Sequence, residues 1–279
     1  MRKGFIALAV IGVALAAVSI FFLLSSNAPS EPIALDENEV AMELAFLNYI
    51  GRYQKGYATK EEFLKRKEIF MATMRKVQEH NAKEDSSYTL GINKYADWTK
   101  EDRQRMKGYK LQDRSKEGRV GSLIEFETTN LKATIDWRTK GWVTPVKDQG
   151  RCGSCYAFSA VGALEGQFKN LTGNITNLSI QQVVDCSKSF LNDGCEGGIP
   201  DWVYDYIMYN GLETDKDYPY IDNEGSCNAD LRKYVVGISD YKDVTPKSPN
   251  QLKAALNFVG PISVAVGTGE YEAFDWFEY

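Results

Sequence analysis

The chain has 279 residues, 43% apolar and 25% charged, which is ordinary globular composition with room for one or two domains and excludes disorder as its main theme. Its net charge is −5 at pH 7, and no stretch interleaves basic with aromatic residues, so nucleic acid is excluded as the expected partner. Residues 31–130 hold 18 Lys/Arg against 18 Asp/Glu, residues 131–279 hold 13 against 20, and all five cysteines fall in the second part; the two parts differ in kind.

Arg2 and Lys3 precede residues 4–24, which carry no charge and read as a membrane-targeting segment. The run exceeds the usual apolar core of a signal peptide and reaches the ~20 residues that span a bilayer. Residues 1–28 are therefore read as a signal peptide cleaved after Ser26-Asn27-Ala28, with an uncleaved anchor inserted through residues 4–24 as the alternative; Pro29 counts against cleavage. A short polar linker follows. Residues 40–57 and 59–81 read as amphipathic helices, the second with a capping box of Thr59 and Glu62 and an apolar stripe of Phe63, Phe70, Met74 and Val77 that implies core packing. Residues 88–95 read as a strand, and the Lys/Arg/Glu-rich residues 99–121 as a linker.

From Thr134 the texture changes to Trp, Gly and Cys. Residues 155–168 read as a buried helix with Ala157, Val161, Leu164 and Phe168 on one face, ended by Lys169, Asn170 and Gly173. Residues 179–186 form a helix behind a Ser N-cap, and residues 250–258 another, set between β-branched runs at 235–241 and 262–266. Helices early and strands late imply an α+β domain of two unlike lobes. Sequons at Asn170, Asn174 and Asn177 are glycosylation candidates and agree with a secretory route.

Five cysteines, Cys152, Cys155, Cys186, Cys195 and Cys227, imply two disulfides and one free thiol, and disulfides imply an oxidising compartment. The stretch "VKDQGRCGSCYAFSA" (146–160) holds two of them three apart. A thioredoxin-like pair would sit in a compact βαβ unit, and a structural zinc site would need a second close pair, which 186, 195 and 227 do not supply. No metal is implied. The reading that uses every residue is a nucleophile, Cys155, at a helix N-terminus, where the helix dipole favours thiolate. Attack on an amide makes an oxyanion, for which the Cys155 main-chain amide and the Gln149 side chain are the expected donors.

"QGRCGSCYAFSA" resembles the signature of papain-family cysteine peptidases. Further likeness lies in "IDWRTKGWVTPVKDQG" (135–150), similar to the start of the mature enzyme, and in "CEGGIP" (195–200), similar to its glycine-rich subsite loop. Upstream, Glu62, Arg66, Phe70, Val77 and Asn81 fall at the spacing of the ERFNIN helix of cathepsin L-like propeptides, with Thr73 for the middle Asn. Gly91, Asn93, Tyr95 and Asp97 in "GINKYAD" resemble the GxNxFxD box.

The resemblance implies a papain-like two-lobe α+β fold, a helical lobe plus an incomplete β lobe, in residues 131–279. It implies a mainly helical inhibitory propeptide in residues 31–130 that runs backwards through the cleft. It implies a cysteine endopeptidase made as a zymogen, with peptide or protein substrates, its own propeptide as inhibitor and no cofactor, in a lysosome-like vesicle or outside the cell. Gln149 would serve the oxyanion hole and Cys155 attack, while Cys152 would pair with Cys195 and Cys186 with Cys227; cysteine counting alone leaves three connectivities open. Gly197 and Gly198 would present main chain to substrate, and Ile199, Pro200 and Ala265 would line an apolar pocket, although Ile199 and Ala265 read equally well as core. Asp97 would be a held carboxylate whose protonation loosens the propeptide in acid. The family's His lies about 130–150 residues after its Cys, hence beyond Tyr279, so a truncated chain, inactive by itself, is expected. The chain's single histidine, His80, falls on the propeptide helix. The competing expectation is a non-catalytic binding or inhibitory protein that keeps the propeptide and the helical lobe.

Overall fold

A computed structural model describes residues 37–110 and 121–267, which fall into two compact units divided between Phe63 and Leu64. The apolar segment 4–24 lies outside the described residues, among which no helix is long and apolar enough to cross a membrane.

In the first unit, helix α1 (Glu37–Arg52) buries Met42, Phe46 and Tyr49, a spacing of four and three that puts them on one face. Phe46 is the hub of an aromatic cluster, with ring centroids 6.2 Å from Tyr49, 6.2 Å from Tyr57 and 5.5 Å from Phe63. The helix expected to reach residue 57 stops at Arg52, and Gln54 takes a positive φ of 49° that no helix continues through. Helix α2 (Lys60–Asn81) starts where its capping box predicts: the Glu62 amide donates to Thr59 Oγ1 at 3.1 Å, and Glu62 Oε2 accepts from the Ala58 amide at 3.1 Å.

In the second unit, Phe70, Met71 and Thr73 of α2 are buried, while Met74 and Val77 are half-buried. The strand expected over residues 88–95 does not form. The Asn81 side chain takes both main-chain groups of Leu90, donating to its carbonyl at 2.8 Å and accepting its amide at 2.7 Å, and so replaces a partner strand. The Asn93 side chain then turns the chain by accepting from the Tyr95 amide at 2.9 Å.

Of the expected linker at 99–121, residues 111–120 lie outside the described residues, and its first part is corrected. Thr99 and Asp102 form a reciprocal capping box that starts helix α3 (Lys100–Arg105), and residues 106–110 continue beyond it.

Strands β1 (Ser122–Ile124) and β2 (Lys242–Val244) pair in parallel, Leu123 opposite Asp243. Residues 125–142 then wrap the last helix among the described residues, α7 (Pro249–Phe258), through Gln251, which clasps both main-chain groups of Phe126, and through Trp137 Nε1, which donates to the Leu256 carbonyl at 2.9 Å.

The core is built on α4 (Cys155–Thr172), whose Ala157, Ala160, Val161 and Leu164 pack with Val183 and Val184 of α5 (Ile180–Cys186) and Val203 and Ile207 of α6 (Pro200–Asn210). Phe168, expected on the same face, is only half-buried. Ser179 caps α5 by accepting the Gln182 amide at 2.9 Å. Of the two late strands expected, the first reduces to one bridge between Val236 and Leu212, with β2 starting just after it. The second, over 262–266, does not form: the Val264 amide and carbonyl both bond Ser159 Oγ, so the groups a ladder would use are taken.

Cys152 is joined to Cys195 and Cys186 to Cys227, and Cys155 is the free thiol. The Cys186–Cys227 bridge closes a separation of 41 residues. Loop-closure entropy for that length predicts that the Cys186→Ala, Cys227→Ala double variant loses about 4 kcal/mol of unfolding free energy. Urea titration checks this; an unchanged midpoint would contradict it.

Candidate active site

Cys155 is the first residue of α4. Ser154 before it does not cap the helix with its side chain, which instead shares a 2.8 Å hydrogen bond with the Tyr220 hydroxyl. The first-turn amides are thereby left for the sulfur. Burial pushes the Cys155 thiol above its ordinary value, opposed only in part by four main-chain amides: Cys155 and Tyr156 from the helix, and Gly108 and Tyr109 from the segment over it. The site as folded keeps its sulfur protonated.

Gln149 approaches on a loop braced at three points. Gly150 has φ +59°, and a Cβ there would sit 2.2 Å from the Asp222 carboxylate, so only glycine lets Asp222 close in. Asp222 Oδ1 then accepts the Arg151 amide at 2.7 Å and the Cys152 amide at 3.2 Å. The Tyr220 hydroxyl donates to the Gln149 carbonyl at 2.8 Å; its own ionisation is pushed up to about 12, chiefly by burial, so the proton stays available. The Cys152–Cys195 bridge and a 2.9 Å bond from the Gly153 amide to the Cys195 carbonyl tie this loop to the Gly197–Gly198 turn. With its backbone fixed, the Gln149 side-chain amide donates to the carbonyls of Cys152 at 2.8 Å and Met106 at 3.0 Å.

The Met106 contact belongs to a covering segment, residues 106–110. Gly198 donates to the Gly108 carbonyl at 2.8 Å and accepts from the Lys110 amide at 3.2 Å, so Tyr109 pairs with Gly198 as a parallel bridge. The approach is main chain on main chain. A Cβ on Gly108 would lie 1.6 Å from the Gly153 carbonyl oxygen, and one on Gly197 would lie 2.4 Å from the Gly108 oxygen. Lys110 also meets Asp193 at 3.1 Å.

Upstream, Arg66 of α2 donates to the Asp97 main-chain carbonyl at 3.1 Å and pairs with the Asp102 carboxylate, while Lys94 pairs with Asp148. Partial burial pushes the Asp102 carboxyl up, but the Arg66 guanidinium and the Thr99 amide outweigh it and hold it at about 2.

Residues 131–278 match the papain family cysteine protease domain. The chain belongs to that family. Residues 46–102 match the cathepsin propeptide inhibitor domain, so this papain-family protease is a cysteine endopeptidase in its autoinhibited zymogen form. It is 38% identical over 258 residues to the probable cysteine protease RDL2 of Arabidopsis thaliana, covering 91% of this chain and 71% of that one. It is 40% identical over 240 residues to a cathepsin L-like peptidase of Aedes aegypti, covering 81% and 70%. Among solved structures, digestive procathepsin L 3 of Tenebrio molitor superposes with a TM-score of 0.70 at 31% identity, covering 78% of this chain and 71% of that one.

Around the groove of this papain-family zymogen, Ile199 is buried, Pro200 opens α6 at its first turn, and Ala265 is exposed. Asn170, Asn174 and Asn177 are exposed. His80 stacks on Tyr88 with centroids 4.4 Å apart, and its Nε2 lies 3.0 Å from Ser86 Oγ. Sequence reasoning missed Gly108, Asp102, Tyr220 and Asp222. The T-x-x-D spacing of Thr99 and Asp102 was a readable helix start inside the charged stretch; nothing local marks Tyr220 or Asp222, which reach the loop from 71 and 70 residues away.

The depressed Asp102 value sets the direction of an acid effect. A carboxyl held below its ordinary 3.8 contributes stability above that value and loses it as pH falls toward about 2. The unfolding midpoint, followed by tryptophan fluorescence, is expected to fall between pH 4 and pH 2, and to fall less steeply in Asp102→Asn. Parallel curves for the two proteins would contradict it.

Proposed function

We propose that Cys155 is the nucleophile of this endopeptidase and that its main-chain amide and the Gln149 side chain are the oxyanion donors. The observation that carries the reading is the 3.0 Å bond from Gln149 Nε2 to the Met106 carbonyl, because it directs the amide at an acyl oxygen lying over the sulfur's loop. In the reaction the thiolate adds to a peptide carbonyl, a C–S bond forms, and the oxygen takes the charge that the two donors stabilise. Collapse breaks the C–N bond and expels the amine, leaving a thioester that water hydrolyses. Expulsion of an amine needs a proton at nitrogen, a step typically worth ~10²- to 10⁴-fold. His80, engaged with Ser86 and Tyr88 on the propeptide helix, is not assigned as that acid.

In this reading residues 31–130 are the inhibitor and residues 131–279 the peptidase, with residues 1–28 a leader or anchor. Gly197 and Gly198 bind substrate main chain, as supported by the pairing of Gly198 with the covering segment. Ile199, Pro200 and Ala265 offer a pocket without charge, where an unpaired charged side chain would be costly. Two disulfides and three exposed sequons support the secretory pathway, with delivery to a lysosome-like vesicle or the exterior and glycans on Asn170, Asn174 and Asn177.

A small p-nitrophenyl ester separates acylation from proton transfer, because its phenolate leaves without an acid. In the full chain, release of nitrophenolate through Cys155 is expected to be slow, because the thiol is buried beneath residues 106–110. Cys155→Ala abolishes that release, and Gln149→Ala slows it by about 10²- to 10³-fold. Release that is unchanged in Cys155→Ala would overturn the assignment.

A further inference from the structure

We propose that the peptidase domain carries a second peptide-binding site, a dock formed by strand β2 and the first turn of α7, which takes an extended segment of a partner protein in the pattern Gly-x-x-aliphatic-x-aromatic. Residues 121–126 of the chain itself, Gly-Ser-Leu-Ile-Glu-Phe, occupy it here. They lie between the two family matches, 46–102 and 131–278, whereas the groups that hold them, Tyr241, β2, Gln251 and Phe258, all lie within the second. The dock belongs to the peptidase, and its occupant does not.

The contacts are those by which a peptide joins a sheet edge and is then gripped by a side chain. Ser122, Leu123 and Ile124 pair in parallel with Lys242, Asp243 and Val244, and Lys242 Nζ donates to Ser122 Oγ at 2.6 Å. Two residues on, Gln251 Oε1 accepts the Phe126 amide at 2.7 Å and its Nε2 donates to the Phe126 carbonyl at 2.9 Å. Both bonds go to main chain and so hold any sequence. Ser248 caps α7 by accepting the Gln251 amide at 3.4 Å, which fixes Gln251 in the first helical turn.

Selectivity comes from the side chains. Gly121 is buried, and a Cβ there would stand 3.0 Å from the Tyr241 ring and 3.2 Å from the Asp243 carboxyl carbon, so the first position favours glycine. Phe126 stacks on Phe258 with centroids 6.4 Å apart. Ile124 and Phe126 are half-buried while Leu123 and Glu125 are exposed, the alternation that one-sided docking of a strand produces.

The test uses the full chain with its own segment displaced by Gly121→Val and Phe126→Ala, and a fluorescein-labelled peptide of residues 121–128 followed by anisotropy. The peptide is expected to bind this emptied chain with a Kd below about 1 mM, and the wild-type chain at least about tenfold more weakly, since there the tethered segment competes. Gln251→Ala in the emptied chain should weaken binding roughly tenfold, the loss of two hydrogen bonds, and alanine in place of the peptide's phenylalanine should do the same. No saturable binding to an emptied chain whose circular dichroism matches the wild type, or binding indifferent to Gln251→Ala or to the peptide's phenylalanine, would overturn the proposal.

Hydrogen exchange on the wild-type chain decides the matter if the emptied chain does not fold. At millimolar concentration the same peptide should speed amide exchange in residues 121–126 by displacing them, and the peptide lacking phenylalanine should not. Exchange that the first peptide leaves unchanged, or that both peptides speed equally, would overturn the dock while leaving Cys155 as nucleophile.

Discussion

Main chain passing over main chain is the constraint on which the closed site depends. At Gly108 the covering segment comes so near the Gly153 carbonyl that a single methyl group would occupy the same space. That approach lets the Gly108 and Tyr109 amides act on the Cys155 sulfur while Gly198 holds the Gly108 carbonyl at 2.8 Å. A side chain at 108 would lift the segment and lose these contacts together. Inhibition therefore needs no bulky plug: the Gly198 main-chain groups, which we propose to bind substrate, are taken by a peptide of the same chain.

The electrostatics reinforce this steric arrangement. A buried thiol costs free energy to ionise, and the helix and segment amides return only part of that cost, so the sulfur of the covered site is a weak nucleophile. The segment is anchored behind α3 by charges, Arg66 on Asp102 and Lys94 on Asp148, and both carboxyls are held below their ordinary values despite the opposing effect of partial burial. Covering and release are thus governed by different physics. Close packing of uncharged main chain covers the site, whereas the anchors weaken when carboxylates protonate.

What could be read from the sequence was what is local. The N-terminus of α4 at Cys155, the Ser179 cap and the Thr59–Glu62 box each declare themselves within four residues, and the structure has all three. Strands did not, because a strand is decided by a partner elsewhere. The β-branched run at 262–266 gave its Val264 groups to Ser159, and residues 88–95 gave Leu90 to the Asn81 amide. Composition misled over 99–110, where a run of charges hid both a capped helix and the covering segment. Within the site, Gln149 and Cys155 were legible as a motif, but the groups that hold them, Tyr220 and Asp222, lie far along the chain with no pattern to announce them.

The central claim is that the absence of a side chain at residue 108 keeps Cys155 covered. Its most direct measurement is the second-order rate of Cys155 alkylation by iodoacetamide at neutral pH in the full chain, compared with Gly108→Ala. Overpacking a close contact costs roughly 1–3 kcal/mol, and each 1.4 kcal/mol is tenfold in an equilibrium, so Gly108→Ala should raise the rate by about tenfold. An unchanged rate, with the far-ultraviolet circular dichroism also unchanged, would mean that the segment does not guard the thiol and would contradict the account.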